Sequence, residues 1–288
     1  MAPTVSLNDG TVIPQVGFGT LMIQPDRRTS PANVETTTAI VAEALDVGYR
    51  HIDTAQSYGT ERGIGRALNA SGMPRGEVYL TSKLSNANHR PSDVRRSFVE
   101  TLENLGVEQL DLFLIHWPLP TLYDGDYVST WRAMLALVAD GRLRTAGVSN
   151  FLPHHLDRII TETGAVPAVN QIEVHPNFAN STARDASLER GIVVESWSPL
   201  GQGRELGEPV ITAIAARHGT SAAQTILRWH LQHGYVVIPK TTHRPRMEEN
   251  LGLFDFALTA EEMTAIDDLD QGEAGRIGPD PDTFAWIP

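Results

Sequence analysis

The sequence predicts an α/β domain of eight parallel strands, with a closed barrel favoured over an open sheet. Eight short apolar strand cores recur along the chain, segments of helical period separate them, and all of this fits one domain of 288 residues. The alternation alone does not separate a barrel from an open sheet. Eight units at this length favour the barrel.

Ahead of the first strand, Val5 to Pro14 has the pattern of a hairpin turning at Asp9-Gly10. The strand cores are then Val16 to Gly19, His51 to Asp53, Val78 to Thr81, Leu112 to Ile115, Thr145 to Val148, Ala168 to Ile172, Ile192 to Ser196 and Val236 to Ile238. Between them, Glu35 to Val47 puts Ile40, Val41, Ala44 and Leu45 on one face and ends at Gly48. Pro91 to Leu105 opens on a proline and stops at Gly106. Ser129 to Ala139, Pro153 to Glu162, Pro209 to His218, Ser221 to Gln232 and Ala260 to Leu269 have the same period. No linker or low-complexity segment interrupts them, so residues 1–288 are expected to form a single domain. Residues 271–288 carry Gly272, Gly275, Gly278, Pro279 and Pro281 and suit a loop.

Hydrophobic residues make up 41% and charged residues 20% of the chain, as in an ordinary soluble protein. The net charge of −12 opposes encounter with nucleic acid or an anionic membrane, and an anionic cofactor would need a local basic pocket. With no cysteine there is no disulfide, thiolate nucleophile or Cys-ligated metal. The segment from Met1 to Gly10 has neither the basic nor the apolar region of a leader. No window reaches the ~18 apolar residues of a membrane span. A cytoplasmic monomer acting on a small molecule is expected.

Ionisable residues end successive strands. Asp53 closes His51-Ile52-Asp53, and Tyr58 follows five residues later in the loop Gln56-Ser57-Tyr58-Gly59. Lys83 closes Val78 to Lys83, and His116 closes Leu112 to His116 before Trp117-Pro118. In an α/β barrel these C-terminal strand ends carry the chemistry. Singly, each residue has an ordinary explanation: a packed loop tyrosine, a solvated lysine, a capping histidine. Together, at the ends of strands two, three and four, the set resembles the catalytic tetrad of the aldo-keto reductases, closest in style to bacterial 2,5-diketo-gluconate reductase-like members. The resemblance implies a (β/α)8 barrel plugged by the N-terminal hairpin, with the tail 271–288 over the active site. It implies NADPH-dependent reduction of aldehydes and ketones such as keto-sugar acids, α-dicarbonyls and small aldehydes.

Carbonyl reduction needs a hydride at carbon and a proton at oxygen. A phenol with a pKa near ~10 is a poor acid at neutral pH, and a nearby ammonium lowers that pKa. The resemblance accordingly assigns Tyr58 as acid, Lys83 and Asp53 as its tuning pair, and His116 as the group orienting the carbonyl.

Gly147 to Phe151 and Val169 to Glu173 are similar to the family segments that bind the nicotinamide carboxamide, implying Ser149, Asn150 and Gln171 as its partners. Trp197 stands where the family stacks an aromatic on the ring, although many members carry Tyr. Ser198, Leu200, Gln202 and Gly203 would follow the pyrophosphate, where glycine permits close backbone approach, and Gly19 and Thr20 complete this wall. After strand eight, Lys240-Thr241-Thr242-His243 and Arg246 bring cations and hydroxyls to a helix start, where a barrel holds phosphate. In the family such residues grip the NADP 2′-phosphate, and residues matching Glu249 and Asn250 bind the adenine. His243 departs from the Arg of several bacterial members.

Leu21, Met22 and Trp117, with His116, are expected to wall the substrate pocket. A partial glycine motif, Gly63-Ile64-Gly65, lies in a helical stretch rather than after a strand and is set aside. His230 and His233 lack the acidic partner of a metal site, and His154-His155 suits a helix start, so no metal is expected. The remaining alternative is a cofactor-sensing binding protein on the same scaffold. A missing Tyr or His would favour it, and neither is missing.

Overall fold

The computed structural model describes residues 3–288. Met1 and Ala2, which open the segment inspected for a leader, lie outside them. The hairpin strands β1 (Thr4–Ser6) and β2 (Val12–Pro14) pair antiparallel, with Val5 opposite Ile13. Gly10 takes the left-handed φ of 85° that turns the chain between them. Leu7 and Ile13 are buried and cluster with Leu112, Leu114, Val169 and Val236 from the barrel strands. The hairpin therefore plugs the barrel, as expected.

Eight parallel strands follow: β3 (Phe18–Gly19), β4 (His51–Asp53), β5 (Tyr79–Leu84), β6 (Leu110–Ile115), β7 (Leu143–Ser149), β8 (Val169–Glu173), β9 (Val193–Trp197) and β10 (Val236–Val237). Each pairs with its sequence neighbour in unbroken order. A parallel bridge between Val16 and Val237 joins the first strand to the last. Gly17 N–H donates to the Val237 carbonyl at 2.8 Å, and Val237 N–H to that of Gln15 at 3.0 Å. The sheet thus closes on itself, which removes its edges.

The outer helices are α1 (Pro31–Val47), α2 (Glu61–Ser71), α3 (Pro91–Leu105), α4 (Tyr127–Ala139), α5 (Pro153–Thr163), α6 (Ser181–Glu189), α7 (Pro209–His218), α8 (Ala222–Gln232), α9 (Arg244–Leu251) and α10 (Ala260–Asp267). Helix α1 begins four residues before the expected Glu35 because Ser30 caps it, its side chain accepting the Asn33 N–H, with Pro31 at the first helical position. Helix α2 is amphipathic, and its glycines serve packing. A Cβ on Gly63 would meet Thr37 at 2.5 Å, and one on Gly65 would meet the Asn104 carbonyl at 2.6 Å. The glycines let α2 approach α1 and α3 rather than a phosphate. Phe98, Phe113, Trp131 and Phe151 are fully buried between sheet and helices, each worth ~1.5–3 kcal/mol of burial for a side chain of this class. Among the described residues no helix is long and apolar enough to cross a membrane.

Candidate active site

Strands β4, β5 and β6 bring the four expected residues to one end of the barrel. Asp53 lies opposite Thr81 in the β4–β5 register, two residues before Lys83. Lys83 is fully buried, and its ammonium meets Asp53 Oδ1 at 2.6 Å, Oδ2 at 2.8 Å and the Thr54 carbonyl at 3.0 Å. Burial opposes both charges and raises the Asp53 pKa, but the bidentate contact at 2.6 and 2.8 Å keeps the pair ionised, and Asp53 leads the groups that hold the lysine pKa above its usual range. Tyr58 lies in a helical turn, Gln56–Tyr58, just after β4, with Lys83 Nζ 5.1 Å from its ring centroid. The His116 ring meets that of Tyr58 edge-on, with centroids 5.7 Å apart. Burial, reinforced by the charge of Lys83, holds His116 well below its usual pKa, so the imidazole is neutral. The structure departs from expectation at Tyr58 itself: burial raises its pKa above the ordinary phenol value, and Lys83 only partly counters this. The phenol is therefore held in its proton-bearing form.

The residues expected at the carboxamide form one connected network across β7, β8 and β9. Ser149 Oγ donates to the Gln171 carbonyl at 2.7 Å, and Asn150 Nδ2 donates to the His116 carbonyl and to Ser149 Oγ, both at 3.0 Å. Trp197 Nε1 donates to Asn150 Oδ1 at 2.9 Å, which fixes the indole at the end of β9. Gln171 Nε2 donates to Asp53 Oδ2 at 2.9 Å and to Glu195 Oε2 at 2.7 Å. Thr20 Oγ1 donates to the Asp53 carbonyl at 2.8 Å, and Gly19 N–H to that of Pro239 at 3.1 Å. Both pin the first strand against the site.

Past Trp197 the backbone is left-handed at Ser198, Gly201, Gln202 and Gly203, with φ of 49°, 54°, 55° and 88°. Strained non-glycine residues concentrate where a chain must present backbone to a ligand. Leu200 is half-buried and Gln202 exposed. Lys240, Thr242, His243 and Arg246 are exposed, whereas Thr241 and Asn250 are buried and Glu249 is half-buried. Thr241 Oγ1 accepts the His243 N–H at 3.2 Å just before α9. Arg244 is engaged by Asp46 at 2.7 Å and by Glu248 at 3.0 Å. Lys240 and Arg246 have no ion-pair partner among the described residues, and so remain available to an anion. This donor set fits NADPH: two free cations and hydroxyls at a helix start, a stretch of left-handed backbone, and an amide network beside the tetrad.

Leu21 and Met22 are exposed, Met22 with a φ of 58°, and Trp117 is buried against Phe284 with ring centroids 4.3 Å apart. The tail bonds to several strand ends in turn. Glu173 Oε1 accepts the Ile277 N–H at 2.6 Å, and Oε2 that of Gly278 at 2.9 Å. Asn86 Nδ2 donates to the Trp286 carbonyl at 2.9 Å, and the Arg27 guanidinium lies 5.5 Å from the Trp286 ring centroid. Asp282 Oδ1 lies 2.9 Å from His154 Nε2 and 3.2 Å from His155 Nε2. Because His155 Nδ1 accepts the Leu152 N–H at 3.2 Å, a neutral His155 carries its proton on Nε2. The trio therefore suits a latch on the tail, not a metal site. His230 is buried against the Pro199 carbonyl at 3.0 Å, and His233 pairs with Asp267 at 2.9 Å.

Two buried groups escaped the sequence reading. Glu195 lies inside the barrel on β9, and its signal was an acid at an inward position of the strand word Val193-Val194-Glu195-Ser196. His175 is bracketed by Glu173, at 3.2 Å from Nε2, and by Glu205 at Nδ1. Glu205 also accepts the Asn177 N–H at 3.1 Å and sits where a Cβ on Gly201 would fall. Burial opposes a charge on His175, but its two carboxylates outweigh that and push its pKa up to about 9.

Comparison with known proteins agrees with this fold. The model of the Aldo/keto reductase family matches residues 15–271. An "Aldo-keto reductase" of Mycobacterium sp. (strain JLS) is 47% identical over 283 residues, which cover 98% of both chains. "Methylglyoxal reductase DkgA" of Salmonella typhimurium is 42% identical over 285 residues, again with 98% of each covered. A crystal structure of a Gox0644 mutant in complex with NADPH superposes with a TM-score of 0.91 at 41% identity, covering 99% of this chain and 100% of the other.

Proposed function

The chain belongs to the aldo/keto reductase family, the NADP-dependent carbonyl reductases, and we propose that it reduces aldehydes, α-dicarbonyls and keto acids with Tyr58 as the proton donor. The observation that carries this reading is the buried Lys83–Asp53 ion pair 5.1 Å from the Tyr58 ring, with neutral His116 edge-on to that ring.

Bound NADPH supplies the hydride. His116, being neutral, can donate one N–H to the substrate carbonyl oxygen and orient it toward Tyr58. The Tyr58 hydroxyl gives its proton to that oxygen as negative charge develops there, and Lys83 stabilises the phenolate left behind. Asp53 keeps Lys83 charged and aimed. Lys240 and Arg246 hold the 2′-phosphate, with Thr241, Thr242 and His243 beside them and Glu249 and Asn250 toward the adenine. Ser149, Asn150 and Gln171 would hold the carboxamide, and Trp197 would lie beside the nicotinamide. Ser198, Leu200, Gln202 and Gly203 lie along the pyrophosphate.

Several features support small and acidic carbonyl substrates. Leu21 and Met22 are exposed rather than packed over the site, and Trp117 stacks against the tail's Phe284. The Arg27 backbone packs beside Gly59, next to Tyr58, and its guanidinium has no ion-pair partner among the described residues. It offers a cation to a substrate carboxylate in a chain of net charge −12. Methylglyoxal, for which the Salmonella relative is named, is a fitting α-dicarbonyl. Following NADPH oxidation with methylglyoxal, a small aldehyde and a 2-keto sugar acid tests the reading. Turnover of at least one is expected, and NADPH binding without turnover of any would contradict it.

A further inference from the structure

Two buried carboxyl groups share the barrel interior around Lys83: Asp53 of the tetrad, and Glu195 on β9. Lys83 directs its contacts to Asp53 and the Thr54 carbonyl, leaving none for Glu195. Glu195 is fully buried, its Oε2 accepts from Gln171 Nε2 at 2.7 Å, and its Oε1 has no hydrogen-bond partner. The nearest candidate cation, His51 on β4, has Nε2 3.6 Å from that Oε1. Burial pushes the His51 pKa down to about 3, so its ring is neutral. A buried carboxylate without a cation is far costlier than a buried neutral acid.

Gln171 makes the arrangement specific. The side-chain atom 2.9 Å from the ionised Asp53 carboxylate has to be a donor, so it is the amide NH2, and the same nitrogen lies 2.7 Å from Glu195 Oε2. Its two hydrogens are both taken, one by Asp53 and one by Glu195. On the side chain only Oε1 is left for a ligand, since the backbone carbonyl already accepts from Ser149, and Oε1 calls for a donor such as the NH2 of a carboxamide.

We propose that Glu195, as a neutral carboxylic acid, is a positioning residue: it clamps the Gln171 amide so that its carbonyl receives the nicotinamide carboxamide, and it leaves Asp53 the single anion paired with Lys83. The proposal rests on the NADPH reading above and adds to it a residue that touches neither cofactor nor substrate. The groups facing Glu195 are Asp53 and His51 on β4, Lys83 and Tyr79 on β5, and Gln171 on β8. Burial, with the charge of Asp53, pushes the Glu195 pKa up to about 8. Above that pH a second anion appears beside Asp53. It makes loss of the Tyr58 proton harder, and activity falls.

Two variants test this by NADPH fluorescence titration and by the pH profile of turnover. Glu195→Gln keeps an acceptor for Gln171 and cannot ionise. It should bind NADPH within about threefold of wild type at pH 7 and should lose the activity decline near pH 8. Glu195→Leu removes the acceptor and should weaken NADPH binding roughly tenfold, the scale of one charge-assisted or buried hydrogen bond. Wild-type affinity and pH profile in both variants would overturn the proposal. So would Glu195→Gln impaired as severely as Glu195→Leu at pH 7, which would mean that Glu195 acts as an anion. Should Glu195→Leu fail to melt cooperatively, the Glu195→Gln profile decides alone. Wild-type protein that does not bind NADPH would overturn the cofactor reading itself, a different failure.

Discussion

Lys83 meets both carboxylate oxygens of Asp53, at 2.6 and 2.8 Å, in the buried interior of the barrel. The pair is costly to bury and costlier to break, since removing one partner strands the other's charge at ~3–5 kcal/mol. Lys83→Met should therefore lower the melting temperature as well as lose activity ~10²–10⁴-fold, because the acid Tyr58 loses the cation that stabilises its phenolate. Thermal melts and steady-state kinetics check both. A variant with the parent's turnover and pH profile would make Lys83 a purely structural residue.

At the phosphate end the expectation concerns selectivity. Arg246 is exposed and has no ion-pair partner among the described residues. A charge-assisted contact is worth ~1.5–3 kcal/mol, so Arg246→Ala should weaken NADPH binding roughly tenfold or more and leave NADH nearly unchanged. Equal loss for both cofactors would assign the side chain to the fold.

Much of this site was legible in the sequence because Asp53, Lys83 and His116 each close an apolar strand word, and Tyr58 follows in a loop. The first turn of α1 was not, since its signal is a Ser30 cap and a Pro31 rather than apolar period. Glu195 and His175 were hidden for another reason. An acid in a strand, or a histidine in the turn after one, tells nothing of its partners: Gln171 reaches Glu195 from β8, and Glu205 reaches His175 from a loop to complete the bracket begun by the neighbouring Glu173. The net rise in the Tyr58 pKa was equally hidden, because it comes from burial by the assembled barrel.

His175 gives the fold its own pH dependence. Its pKa is about 9 in the folded chain against an unperturbed value of ~6.5, so its charge stabilises the fold fully below ~6.5 and the benefit is lost as pH rises through 9. Melting temperature should fall between pH 7 and 9.5, with the loss on the order of 3 kcal/mol at most. His175→Asn should be less stable at pH 7 and flatter across this range. A wild-type melting temperature that does not change over the range would contradict the buried imidazolium.

Arg27 and the tail should set substrate scope. Arg27→Gln should raise KM for a keto acid about tenfold while sparing a neutral aldehyde, consistent with one charge-assisted contact. Truncation after Gly272 removes Phe284 and Trp286 and should raise KM for bulky substrates more than for small ones, with NADPH affinity close to wild type. Equal losses on all substrates, or collapse of NADPH binding, would show that these residues support the barrel instead.

The most direct measurement is the turnover of Tyr58→Phe beside its NADPH affinity. The substitution removes one hydroxyl from a buried ring and leaves the Lys83–Asp53 pair and the amide network in place. Turnover should drop ~10²–10⁴-fold, the usual cost of losing a positioned general acid, while NADPH binds nearly as before. Turnover within threefold of wild type would contradict Tyr58 as the proton donor.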